Sequence, residues 1–136
     1  MSFVDAFENA VLDEMLGTGA TLLSGNLELA LSTTTPADDG TNITEPVGGS
    51  YARESITNDV TNFAAASSGS KTNVLAITFT TATGDWGTIT HWVLYDTSVA
   101  KIWGTLDDGA GAPQPRAVYN GDTFSFPTGQ LRITLD

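Results

Sequence analysis

Apolar residues recur at helical spacing in only one part of the chain. Phe3, Phe7, Ala10, Val11 and Met15 fall on one stripe between Ser2 and Leu16, which predicts an amphipathic helix over 3–16. Ser2 is placed to cap it, Asp5 and Glu8 suit its first turns, and Gly17 is a natural stop. Glu8, Asp13 and Glu14 lie off the stripe.

Beyond Gly17 the period becomes two. Leu27, Leu29 and Leu31 alternate with polar or small residues, as do Leu75, Ile77 and Phe79, and each set predicts a half-buried strand. The run Thr88 to Tyr95 is apolar on both faces, with Ile89, Val93 and Tyr95 on one and Trp92 and Leu94 on the other. Such a strand is central in its sheet, or meets a second chain on one face. Ala100 to Leu106, Asp122 to Phe126 and Leu131 to Leu135 are further strands, with shorter ones at Ala52 to Ile56 and Arg116 to Tyr119. Eight short strands separated by turn residues predict a mostly-β fold, a jelly-roll-like antiparallel β-sandwich or a small barrel, with one N-terminal helix. One β-rich domain over 1–136 accounts for the length. Two apolar-poor segments, 33–50 and 107–115, are too long for simple turns and are expected to be functional arms or floppy loops.

Composition narrows the function. Charged residues are 15% of the chain, against about 25% in ordinary soluble domains, so Thr, Ser, Asn and Gly supply much of the polar surface. The net charge is −11, and the five basic residues, Arg53, Lys71, Lys101, Arg116 and Arg132, form no cluster. Direct nucleic-acid binding and an anionic membrane surface are therefore disfavoured. Without cysteine there is no disulfide scaffold, thiol nucleophile or Cys-based zinc site. The opening residues do not read as a secretory signal, and no stretch is long enough to span a membrane.

Catalytic chemistry finds little support. The single histidine, His91, lies in the aromatic strand between Thr90 and Trp92, where a structural role is expected. No Gly-x-Ser-x-Gly elbow or phosphate-binding Gly-Lys-Ser/Thr occurs, and Gly17-Thr18-Gly19 lacks the third glycine of a dinucleotide site. Asp38-Asp39-Gly40 and Asp107-Asp108-Gly109 offer oxygen ligands, but neither follows the twelve-residue calcium loop, and Asp-Gly is an ordinary turn pair. No catalytic, cofactor or metal site is expected. Of Trp86, Trp92 and Trp103, at least two belong inside, with Trp103 as the surface anchor for a protein or a sugar.

Four blocks together resemble a family. They are the helix 3–16, Gly48-Gly49-Ser50-Tyr51-Ala52-Arg53, Trp86 to His91 ending in Tyr95-Asp96, and Gly121 to Phe126 with Leu131 to Asp136. Their order and spacing are similar to the small tailed-bacteriophage virion proteins usually labelled phage tail fibre protein. The resemblance implies a non-enzymatic structural protein of the virion, bound to the major capsid protein or other virion proteins, and self-associating as a trimer or dimer. A fibre shaft needs heptads or long repeats, which this sequence lacks. A capsid decoration or cement protein on the shell is accordingly the leading expectation, with a tail-associated fibre, adaptor or receptor-binding module as the alternative. The candidate contact residues are Asp38, Asp39, Ile43, Glu45 and Pro46 in the 33–50 segment, with Trp103, Pro113 and Arg116.

Overall fold

A computed structural model describes residues 5–17 and 22–135. In chain order the elements are α1 (Asp5–Met15), β1 (Asn26–Ser32), β2 (Glu54–Thr57), β3 (Ser70–Thr72), β4 (Ile77–Thr78), β5 (Gly87–Ile89), β6 (His91–Asp96), β7 (Val99–Thr105), β8 (Arg116–Val118), β9 (Ser125–Phe126) and β10 (Arg132–Thr134). The described chain is mostly β. A four-stranded sheet runs β2-β1-β6-β7, and three two-stranded ladders pair β10 with β3, β4 with β9 and β5 with β8. The β1–β6, β6–β7, β3–β10 and β5–β8 pairs are antiparallel. The chain forms two compact units, the first from 1–27, 56–77 and 126–136 and the second from 28–55 and 78–125.

In the first unit α1 packs on β3 through a face that differs from the expected stripe. Leu12 and Leu16 are fully buried, whereas Val11 and Met15 are only half-buried. Between them Asn9 accepts the Gly69 N–H at 2.8 Å, and Asp13 accepts the Ala66 N–H at 2.7 Å and the Lys71 ammonium at 2.6 Å. Positions 9, 12, 13 and 16 are neighbours at i, i+3, i+4 and i+7, so the docked face is part polar, which an apolar period misses. Ser2 and Phe3, and the side chains of Phe7, Glu8 and Ala10, lie outside the described residues. The described helix is 11 residues long and ends at Met15, one residue before the expected end at 16; residues 3 and 4 of the expected span lie outside the described residues.

Two buried asparagines tie this unit together. Asn58 accepts the Gly17 N–H at 2.8 Å and donates to the carbonyls of Met15 and Ser24. Asn73 accepts the Leu131 N–H at 2.9 Å and donates to the Leu75 and Pro127 carbonyls. Both asparagines are 2% exposed, and each satisfies backbone groups that no sheet ladder reaches.

The second unit holds most of the four-stranded sheet. Every residue of β6 is buried, as expected for a central strand. Register sets its two faces, because directly opposite residues share one. Leu29 opposes Leu94 and Leu31 opposes Trp92 on one, while Ala30 opposes Val93 and Val93 opposes Trp103 on the other. Phe79 anchors a ring cluster, meeting Phe124 edge-on at 5.8 Å, Trp86 edge-on at 6.5 Å and Tyr51 stacked at 6.4 Å.

Several expected strands change shape. The Thr88–Tyr95 run breaks at Thr90, whose N–H donates to Ser32 while its carbonyl accepts the Leu106 N–H. β5 is thereby freed to pair with β8, apart from β6. The Leu75–Thr80 strand shrinks to β4, since Leu75 turns outward at 52% exposure. β3 was not expected at all: Ser-Lys-Thr carries no apolar alternation, yet it pairs with β10 through Lys71 opposite Ile133.

Candidate protein-interaction surface

The segment 33–46 is neither a free arm nor a floppy loop. Its backbone is closed by the Thr33 N–H on the Thr44 carbonyl at 2.9 Å and the Ala37 N–H on Thr41 at 2.9 Å. The Thr34 hydroxyl donates to the Asn42 carbonyl at 2.7 Å, the Asn42 amide donates to Thr35 at 2.7 Å, and the Ser32 hydroxyl accepts the Thr44 N–H at 3.1 Å. Pro36 and Pro46 are buried. Ile43 packs with Ala100 and Trp103 against the cluster of Ala30, Val93 and Tyr95, so the segment roofs one face of the sheet.

Arg53 clamps the roof. Its guanidinium donates to both Glu45 oxygens, at 2.6 Å from Nη2 and 3.1 Å from Nε, reaches Glu28 at 3.2 Å, and lies 3.6 Å from the centre of the Tyr95 ring. The Glu45 hydrogen bonds hold Arg53 in its charged form, raising its pKa further above an already high value. Tyr51 completes the network by accepting the Leu31 N–H at 3.0 Å and donating to Glu45 at 2.9 Å. Burial pushes the Tyr51 hydroxyl well above its ordinary value, with the Glu45 charge adding to the rise. Burial likewise raises Tyr95, against the opposing pull of Arg53. Gly49 sits at φ 57 where a Cβ would come 2.9 Å from the Gly84 carbonyl oxygen, and its own carbonyl accepts the Trp86 indole N–H at 2.8 Å. Only glycine meets that backbone and that space together.

The candidate contact residues divide. Asp38 and Asp39 are exposed, and Asp39 accepts both the Thr41 hydroxyl and its N–H, bonds that lower its pKa. Pro46 is buried, and Ile43 and Glu45 are half-buried, Ile43 against the Ala30–Val93–Tyr95 cluster and Glu45 on Arg53. Trp103 is half-buried, edge-on to His91 at 5.8 Å, whereas Trp86 and Trp92 are buried. Pro113 is exposed. Arg116 is half-buried, donating to the Ser125 carbonyl at 3.1 Å and lying 4.9 Å from the Phe124 ring centre.

The Asp107-Asp108 turn is built in the same way as the Asp39 turn. Asp107 accepts the Gly109 N–H, and Asp108 accepts those of Ala110 and Ala112, which lower the Asp108 pKa. These are turn-closing bonds of the Asx kind. His91 is 8% exposed, shares a 2.8 Å hydrogen bond with the Thr90 hydroxyl, and is lowered in pKa by burial. Sequence reasoning missed the Arg53 clamp. The signal available was scarcity, since the chain has only five basic residues and Arg53 meets two acids, Glu45 and Glu28.

The described chain is small and mostly β, with a fixed roof and a half-exposed tryptophan. The chain belongs to the family described as Podophage GP4 fiber I protein gp80, which matches residues 2–134. It is a structural protein of the bacteriophage virion. A comparison with curated proteins finds no match.

Proposed function

We propose that the chain is a compact, non-enzymatic module of the phage tail fibre that acts by binding other virion proteins. The family match over nearly the whole chain carries this reading. These residues carry no heptads or long repeats, so the length of the fibre comes from outside them. A β-sandwich suits such a module, and the burial of β6 on both faces supports it. Capsid decoration led on the lack of a shaft, which a fibre assembled from several parts meets equally well, and the family's description favours the fibre.

The reading is tested by imaging purified virions by cryo-electron microscopy and fitting the chain. A small number of copies in the tail fibres is the expected result. Hundreds of copies arrayed over the shell would overturn it and restore the decoration role.

A further inference from the structure

Asparagine is a chemically labile residue. When the backbone nitrogen of the next residue attacks its side-chain carbon Cγ, a five-membered imide forms and ammonia leaves. Water then opens the ring to aspartate or isoaspartate. The attack is easiest when glycine follows, because no Cβ hinders the incoming nitrogen. Of the seven asparagines in this chain, only Asn120 precedes a glycine. Asn58 and Asn73 are also buried, their side chains bonded to backbone groups. Asn120 is exposed to the water that ring opening consumes.

The turn that carries Asn120 is tied against this reaction. The Asp122 N–H donates to the Tyr119 carbonyl at 2.9 Å. Gly121 stands at φ 92, while Asn120 is outside the left-handed region. That is the pattern of a type II turn, which sets the peptide between its two central residues in one orientation. Imide formation needs this peptide rotated until the Gly121 nitrogen faces Cγ, with its N–H free to give up a proton. The Gly121 N–H instead donates to the Ala82 carbonyl at 2.7 Å. On the other side of Asn120, its own N–H donates to Asp85 at 2.9 Å, and the Tyr119 N–H donates to Asp122 at 2.9 Å.

We propose that Asn120 is the site at which this chain deamidates, and that the Gly121–Ala82 and Asn120–Asp85 bonds set the rate by keeping the turn closed. The reaction then proceeds from the fraction of molecules in which the turn has opened. Either product places a new negative charge beside Asp85 and Asp122, and the iso form lengthens the backbone by one methylene. Ala82 pairs with the Asp122 carbonyl at 2.8 Å, and Phe79 with that of Phe124 at 2.9 Å, so a lengthened turn disturbs the pairing that leads into the ring cluster. The chemistry belongs to the turn and holds wherever in the virion the module sits.

The test incubates the full purified chain at mildly alkaline pH, folded or in guanidinium chloride, and digests it with trypsin. The peptide 117–132 lies between Arg116 and Arg132 and holds no other asparagine. Its gain in mass reports amide turning to acid, and methylation by an isoaspartate methyltransferase reports the iso form. In denaturant Asn120 should convert before any other asparagine, and in the folded chain at least about tenfold more slowly. Asp85→Ala removes one of the two bonds and should speed the folded reaction about three- to tenfold. Asp85 is exposed, and equal rates for both proteins in denaturant would place the effect in the closed turn. Another asparagine converting first overturns the proposal, as do equal rates in the folded and denatured chain. An Asp85→Ala protein that deamidates no faster than the wild type when folded also overturns it.

Discussion

Gly104→Ala isolates what holds β7 against the sheet. A Cβ at that position would stand 2.5 Å from Cζ2, 2.7 Å from Cε2 and 2.9 Å from Nε1 of Trp92. Ordinary carbon contacts begin at about 3.5 Å, so the indole must retreat by roughly 1 Å from a site where it is 5% exposed. Overpacking of this kind costs about 1–3 kcal/mol. Full expulsion of a tryptophan, with roughly 150–250 Å² returned to water, would cost about 4–6 kcal/mol. The expected loss lies between, about 2–4 kcal/mol, or roughly 6–16 °C in Tm for a domain of this size. Urea titration followed by circular dichroism should show a lower midpoint at constant slope. Since Gly104 has no positive φ, the substitution should turn neutral or stabilising in a Trp92→Leu background, where only the entropic benefit of removing a glycine remains. A loss below about 0.5 kcal/mol, or an equal loss in both backgrounds, would refute the account of Trp92 resting on Gly104.

Two further predictions concern the roof and the histidine. Arg53→Ala should cost about 1–3 kcal/mol, because it leaves the half-buried Glu45 without its two-pronged partner. Hydrogen exchange at the Thr33 N–H, bonded to Thr44, should speed up; an unchanged rate would mean the roof stands without the clamp. His91, lowered by burial from its ordinary 6.5, binds its proton more readily when unfolded. Its contribution to stability is therefore complete above that value and declines as pH falls below it toward the folded pKa. A His91→Gln variant should flatten that part of the stability–pH curve, and an identical slope in both proteins would exclude His91 as its source.

Of the two strands predicted from strict alternation, β1 matches its pattern of leucines closely, whereas the Leu75–Phe79 set keeps only the two residues of β4. What failed to show were elements held by polar groups. β3 is set by pairing to β10 and by Lys71 reaching Asp13, and neither feature has a hydrophobic period. The docked face of α1 mixes Asn9 and Asp13 with Leu12 and Leu16, so a search for apolar recurrence settles about one residue out of phase. The break at Thr90 depends on which carbonyl each N–H finds, information that resides in the tertiary fold. Of the candidate site, the half-exposed Trp103 was readable from its strand. The inward turn of Glu45 and Pro46 was not, because a Pro- and Gly-rich stretch reads the same whether it is pinned or free.

That last distinction bears on how the module binds. A low charge content and abundant Thr, Ser and Asn suggest a surface made for neighbours, yet many of those groups are spent at home. Ser32, Thr33, Thr34, Thr41, Asn42 and Thr44 all take part in bonds that close the 33–46 segment on itself. A segment fixed in advance loses little conformational freedom on association, so more of each contact is available as affinity. The Arg53 clamp then acts at a distance from any partner: it keeps Ile43 on the Ala30–Val93–Tyr95 cluster and so fixes the surroundings of Trp103. Recognition by this chain is thus expected to resemble the docking of rigid surfaces, with variants in the roof weakening binding through lost order rather than through lost contacts.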